Sequence, residues 1–360
     1  MLNLKNKILK KFDFVKFRET NISFWEKVYE NLDYAGIDFL QHLIEYRKIY
    51  SNQKNQVYDF SLIFFKNNEP IAIIPLSIKK IKKKYFLEAF NNNLICLGFL
   101  KDLPEKLKEK YLFYYLEIVE FIKKELKIKK IAFNITCVKN ESSNPLILGQ
   151  LIRNNKKFFF NENQIYLKIK KNIEDIKKEF RKSYKPLINS NINKYEYGIL
   201  EEKNDGIWNE FRKFHEKISG KKRKISTWNQ QYKAIVDKKA FLVYLKDKGE
   251  LVAFAYFFYT YDECIYASGA FSNEHKSEKK PLGHIIQFYA IMEMIKKNIK
   301  WYKIGVEKIS KKAIKKHLMT SGEAVNKLSI KKEENITLFK KGFSSNLFPV
   351  LSLEIDKLKR

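Results

Sequence analysis

A mixed α/β (α+β) chain of two tandem units, each a mostly antiparallel sheet flanked by helices, is the architecture the sequence predicts. Three observations predict it. The chain has 360 residues, more than one compact core absorbs, and its 45% hydrophobic and 15% aromatic content is ample for two. No uninterrupted apolar run approaches the roughly 20 residues that would span a bilayer. One order of elements (two helices, a three-strand meander, a loop, a helix and a crossover strand) recurs at an offset of roughly 170–180 residues.

In the first half, Ser23 to Leu32 has amphipathic helical spacing, Ala35-Gly36 breaks it, and Phe39 to Ile49 reads as a second helix. Tyr58 to Phe65 is β-branched and aromatic, a strand. Lys66-Asn67-Asn68-Glu69 supplies a turn, and Pro70 to Ile78 returns. A third strand falls within Phe86 to Leu100, a helix over Glu105 to Leu126, and a strand over Ile131 to Ile135. Between the halves, Asn172 is placed to cap a basic helix continuing to Tyr184, which Pro186 must kink or end. The expected domains are therefore 1–170 and 171–360.

The second half repeats the order. Helices are expected over Ile207 to Ile218 and Ser226 to Val236, separated at Gly220. Strands follow over Ala240 to Leu245, Leu251 to Thr260 and Cys264 to Phe271, then a helix from about Gly283 to Lys297 and a strand over Trp301 to Ile304.

The net charge of +30 raises the question of a polyanionic partner, yet the basic residues are 64 Lys and only seven Arg, spread along the whole chain. A dedicated nucleic-acid reader would use more of the guanidinium forks that grip phosphate and guanine. Cys96, Cys137 and Cys264 stand far apart with no CxxC spacing, so neither a metal site nor a disulfide framework is expected. The N-terminus lacks the apolar block of a secretory signal, which predicts a cytoplasmic protein. Its weakly amphipathic, basic first residues (Leu2, Leu4, Ile8, Leu9 and Phe12 among lysines) fit either peripheral contact with an anionic membrane or simple packing on the first unit.

The chemistry is expected in the loop after the third strand of each meander, where a helix N-terminus offers free N–H groups and a positive dipole end. In the second unit that loop holds Lys279, Lys280, Pro281, Gly283 and His284, whereas the first unit's Leu100 to Glu105 places acid there. A phosphorylated donor is therefore expected in the second unit, with the first degenerate for cofactor.

Several stretches carry a family resemblance: Phe214-His215-Glu216-Lys217-Ile218-Ser219-Gly220, Thr227-Trp228 with Gln231, Tyr266-Ala267-Ser268-Gly269-Ala270, Pro281-Leu282-Gly283-His284, Trp301-Tyr302-Lys303-Ile304-Gly305 and Phe339-Lys340-Lys341-Gly342-Phe343. By these and by its element order the chain resembles the FemAB-like tandem transferases, two GNAT-like (GCN5-related N-acetyltransferase) domains in series, including their acetyltransferase branch. Of the GNAT pyrophosphate signature, only Gly283 is present. The resemblance implies transfer of an acyl or aminoacyl group to an amine, often on a cell-wall or surface-glycan precursor. The donor it implies is acetyl-CoA or another acyl-CoA, with aminoacyl-tRNA as the alternative.

On this reading His215 and His284 are candidate proton carriers and Glu307 a candidate base. Ser268, Gly269, Lys279, Lys280, Gly283 and Gln287 are candidate donor contacts. Trp228, Gln231, Tyr302 and Lys327 are candidate acceptor contacts, while Lys331 and Lys340 belong either to an anionic acceptor or to a solvated face. Each histidine and Trp228 has an ordinary packing role as its alternative. A non-catalytic basic binding protein is the remaining alternative, although no helix-turn-helix, zinc or RNA-recognition pattern is present.

Overall fold

The computed structural model describes residues 1–136, 158–220, 222–308 and 327–355. Their packing divides the chain into two units, Met1–Asn161 with Pro349–Arg360, and Glu162–Phe348.

The first unit opens with α1 (Leu2–Lys11), β1 (Val15–Phe17), α2 (Ile22–Tyr29) and α3 (Gln41–Ser51). Of the apolar residues of α1, Leu4 and Ile8, with Phe12 after it, are buried in the unit's core, while Leu2 and Leu9 are exposed. The two long strands expected next are each broken. Their pieces are β2 (Gln56–Asp59), β3 (Leu62–Lys66), β4 (Glu69–Ile74) and β5 (Ser77–Ile81), followed by β6 (Lys84–Glu88) and β7 (Gly98–Phe99). They form two small sheets, β1-β3-β4-β7 and β2-β5-β6. The breaks have local causes. The Asp59 carboxylate accepts the Ser61 N–H at 2.8 Å, a turn that competes with the ladder. Across from it Pro75 has no N–H to offer a neighbour, and Ser61 Oγ accepts the Leu76 N–H instead. The unit then runs through α4 (Glu105–Glu125) and β8 (Ile131–Thr136).

In the second unit, β9 (Phe158–Lys168), whose first residues lie in the first unit, leads to α5 (Ile173–Lys177) and α6 (Tyr184–Asn189). The single connector helix expected here is two short ones. Asn172 caps the first by accepting the Glu174 N–H at 2.8 Å, and Pro186 sits in the first turn of the second, where a missing N–H is harmless. Next come β10 (Glu196–Leu200), α7 (Asp205–Ser219) and α8 (Ile225–Val236). Asn204 caps α7 through the Ile207 N–H, and Gly220 ends it at φ 64°, a left-handed position that suits glycine. The meander is β11 (Ala240–Asp247), β12 (Glu250–Tyr259) and β13 (Glu263–Phe271). After it come α9 (Asn273–Ser277), α10 (Leu282–Lys296), β14 (Trp301–Lys308) and α11 (Lys327–Lys341). These strands stand in the order β10-β11-β12-β13-β14-β9, antiparallel except for β13 beside β14.

The last strand, β15 (Leu347–Ile355), pairs along Val350 to Ile355 with β8 of the first unit. The sequence reading divided the chain at 170/171 and ran the second domain to 360. The packing instead sets the boundary at 161/162 and returns residues 349–360 to the first unit, because Leu351 and Leu353 complete its core. Cys264 is buried in the second core and Cys96 is half-buried in the first, while Cys137 lies outside the described residues. Among the described residues no helix is long and apolar enough to cross a membrane.

Candidate active site

The second sheet opens at one place. β13 and β14 pair in parallel only over Glu263↔Trp301, Cys264↔Tyr302 and Ile265↔Lys303. Both strands then turn irregular. β13 bulges beside Tyr256/Phe257, leaving Ala267 unpaired, and β14 shifts register between Lys303 and Gly305 as it follows β9. A bulge bends its strand and adds twist, which carries the C-terminal halves of the two strands out of register with each other. Parallel strands that part in mid-sheet leave backbone groups for a ligand and join the two faces of the sheet there.

On one face of this opening lie α10 and the end of α11. Gly305 has no β-carbon, and the Lys340 side chain occupies the space one would fill. Burial lowers the Lys340 pKa below the ordinary lysine range, and among the described residues no neighbouring charge opposes that shift. Across from it the Tyr266 hydroxyl takes the space above Gly269, and its pKa is pushed up to about 12 by burial. His284 is set among aromatic rings, with Tyr184 at 4.3 Å and Phe339 at 5.0 Å between centroids. Burial brings its pKa down to about 4, so the imidazole is neutral at pH 7. That makes it a weaker proton acceptor than the free histidine expected.

The helix corner is more closed than the sequence suggested. A β-carbon at Gly283 would stand 3.2 Å from the Phe339 ring edge, so α11 lies over the start of α10. The His284 and Ile285 amides turn back to the Pro281 carbonyl at 2.9 and 3.2 Å, leaving fewer N–H groups for an anion. Lys280 is held by Glu278 at 2.8 Å and lies 3.8 Å from Asp247. Lys279 is exposed, at φ 57°. Gln287 and Tyr302, assigned to donor and acceptor, instead bond to each other in the core, with Tyr302 fully buried. Glu307 is paired with Lys341 at 2.7 Å and accepts from Asn163 at 3.1 Å, contacts that hold its carboxyl below the usual range. A carboxylate so engaged takes up a proton less readily than the open one expected. Lys327 begins α11, and its side chain lies outside the described residues.

The other face carries α7 and α8. His215 is half-buried, with its ring 5.3 Å from Trp228 and Nδ1 3.4 Å from Ser219 Oγ. Trp228 is buried against Phe211 and Trp208, and the buried Gln231 accepts at its backbone carbonyl from the Tyr256 hydroxyl at 2.8 Å. Ser268 pairs opposite Tyr256, and its Oγ is buried with no hydrogen-bond partner among the described residues. The two histidines thus stand on opposite faces of the sheet rather than in one constellation.

Sequence reasoning passed over a second feature of the corner. Ser272 caps α9, its Oγ is 3.1 Å from His275 Nδ1, and His275 Nε2 is 3.0 Å from Asp247 Oδ2. These contacts staple the loop after β13 to the β11–β12 hairpin. The spacing Ser272-x-x-His275 after a strand was the available signal. Asn163 was missed because the second unit was begun too late. In the first unit, a cavity of about 500 Å³ beside Asn52, Gln53, Lys54, Lys80 and Lys82 includes none of the expected site residues.

No family model and no curated protein matches this sequence. Solved structures do. FemX superposes with a TM-score of 0.64 at 13% identity, over 93% of this chain and 96% of its own. The C-terminal domain of a putative lysylphosphatidylglycerol synthetase from Agrobacterium fabrum matches with a TM-score of 0.56 at 11% identity, over 92% of both chains. L-PGS from Bacillus licheniformis gives 0.52 at 12%, over 93% of this chain and 91% of its own. The expected FemAB-like tandem fold is therefore the fold of this chain.

Proposed function

We propose that this chain, with the tandem fold of FemX, is an acyltransferase whose second unit moves an activated acyl group onto an amine. The observation that carries this reading is Lys340, a desolvated ammonium with no compensating charge among the described residues, held over Gly305 where β13 and β14 part. A carbonyl oxygen that becomes negative beside it would recover what burial cost, and that recovery is greatest in the transition state. The proposed donor is acyl-CoA, its carbonyl between Gly269 and Gly305 and its thiol as leaving group. The amine acceptor, on a sugar or cell-envelope precursor, approaches from the α7–α8 face. As the C–N bond forms and the C–S bond breaks, the amine must shed a proton. His215 on that face is the candidate to receive it, since His284 is held neutral by burial and Glu307 by its ion pair is held ionised.

Aminoacyl-tRNA as donor is the second reading. Phe339 over Gly283, the internally satisfied amides and the net charge of +30 favour it. The name of the Agrobacterium protein, a lysylphosphatidylglycerol synthetase, describes attachment of a lysyl group to a lipid and fits such chemistry. Calorimetric titration with acetyl-CoA decides between them. Heat from the wild type that persists in Lys340→Met, while the rate of acyl transfer falls there, supports the first reading. No heat, together with salt-sensitive tRNA retention, supports the second. Indifference to both removes the transferase reading.

A further inference from the structure

The α7–α8 face collects buried donors with nothing to donate to. The Trp228 indole N–H and the Gln231 amide nitrogen have no acceptor among the described residues, and their side chains are 1% and 0% exposed. The Gln231 amide is oriented: its Oε1 accepts from Arg223 Nη2 at 2.9 Å, so its NH2 points away from the guanidinium. Arg223 itself lies flat on the Trp228 ring, 3.4 Å from the centroid. Ser268 Oγ and Arg212 Nε are likewise buried and unpartnered. Native proteins satisfy almost all such groups, and each one left unpaired costs stability.

The arginines add a second argument. In a chain with 64 Lys and seven Arg, two of the seven belong to this segment, Arg212 on α7 and Arg223 in the connection to α8. Lysine serves for charge alone. A planar fork stacked on an aromatic ring serves where a carboxylate is gripped by two parallel bonds.

We infer that the α7–α8 face of the second unit binds a carboxylate-bearing ligand, held by Arg223 and Arg212 with Trp228, Gln231 and Ser268 as further donors. Calling that ligand the acyl acceptor rests on the reading above, and it narrows the acceptor to an amine whose molecule also carries a carboxylate. The site itself does not depend on that reading.

The test is a titration of the 15N-labelled full-length protein with sodium acetate, read at the indole N–H resonances of its four tryptophans. The Trp228 resonance is assigned by its loss in Trp228→Phe. Acetate is expected to move that resonance downfield and saturably, while methyl acetate and sodium chloride at matched ionic strength do not. Arg223→Gln is expected to weaken the effect about tenfold, and Arg223→Lys not to restore it. Unchanged Trp25 and Trp301 resonances report that the variant is folded; where they move, Gln231→Leu takes its place. A Trp228 resonance that stays still, or that moves equally with chloride or in the folded variant, overturns the inference. Acetate binding without binding of either donor would keep this site and remove the transferase reading. Donor binding without an acetate effect would do the reverse.

Discussion

The two units share an order of elements and differ in what their sheets do at the equivalent corner. In the first, the meander is broken into two small sheets, and its last strand, β7, has two residues. Its approach to the crossover strand is a single parallel bridge, Leu94↔Phe133. In the second, β12 and β13 run for ten and nine residues, and the opening between β13 and β14 follows three well-formed pairs. The lysines differ too. Lys108, in the first turns of α4, is 2.9 Å from Glu105 and 3.7 Å from Asp33. Lys340 over Gly305 has no such partner among the described residues, and burial shifts it. A neutralised lysine stabilises its own helix; a desolvated one is available to a ligand. The two units thus share a framework and differ in how far their ladders run before they part.

The sharpest way to break this comparison is to remove each lysine. Lys340→Met is expected to lower the rate of thiol release from acetyl-CoA in the presence of an amino sugar by about 100-fold or more, and Lys108→Met to leave it unchanged. Equal losses would abolish the asymmetry.

Acid separates the units next. The His284 pKa is about 4 when folded and near 6.5 when unfolded, so the unfolded chain binds the extra proton between those values. The contribution is complete above about pH 6.5 and is lost as pH falls towards 4. Urea unfolding against pH should show this slope for the second unit, and His284→Phe should flatten it.

A smaller difference concerns two buried indoles. Trp25 Nε1 donates to the Phe39 carbonyl at 3.2 Å, whereas Trp228 Nε1 has no partner among the described residues. Trp25→Phe is therefore expected to cost about 1 kcal/mol more than Trp228→Phe in denaturant melts. The smallest effect is that of Glu307→Gln. Its part-exposed pair with Lys341 should be worth about 0.5 kcal/mol, and activity should persist if Glu307 is not the base.

Much of the framework was legible because periodicity reports burial. α4, α7, α8, α10 and the second meander fall within a few residues of their expected bounds. Where side chains compete locally with the ladder, the pattern misled. Asp59, Ser61 and Pro75 split strands that composition alone reads as continuous. β9 and β15 were missed because each finds its partners far away in sequence. The site was half legible for a related reason. Gly283, His284 and Ser268 could be singled out from the sequence, yet sequence cannot show that Phe339 covers Gly283 or that Gln287 and Tyr302 satisfy each other. For Lys340 the sequence left an anionic acceptor and a solvated face as alternatives. Only the missing β-carbon at Gly305 gives it a seat.

Hydrogen–deuterium exchange with and without acetyl-CoA tests the central claim most directly, that the donor enters the second unit where its parallel strands part. Protection is expected in peptides covering 266–271, 282–287 and 303–307, with 98–108 of the first unit unaffected. Protection confined to 98–108, or none in either unit, would contradict it.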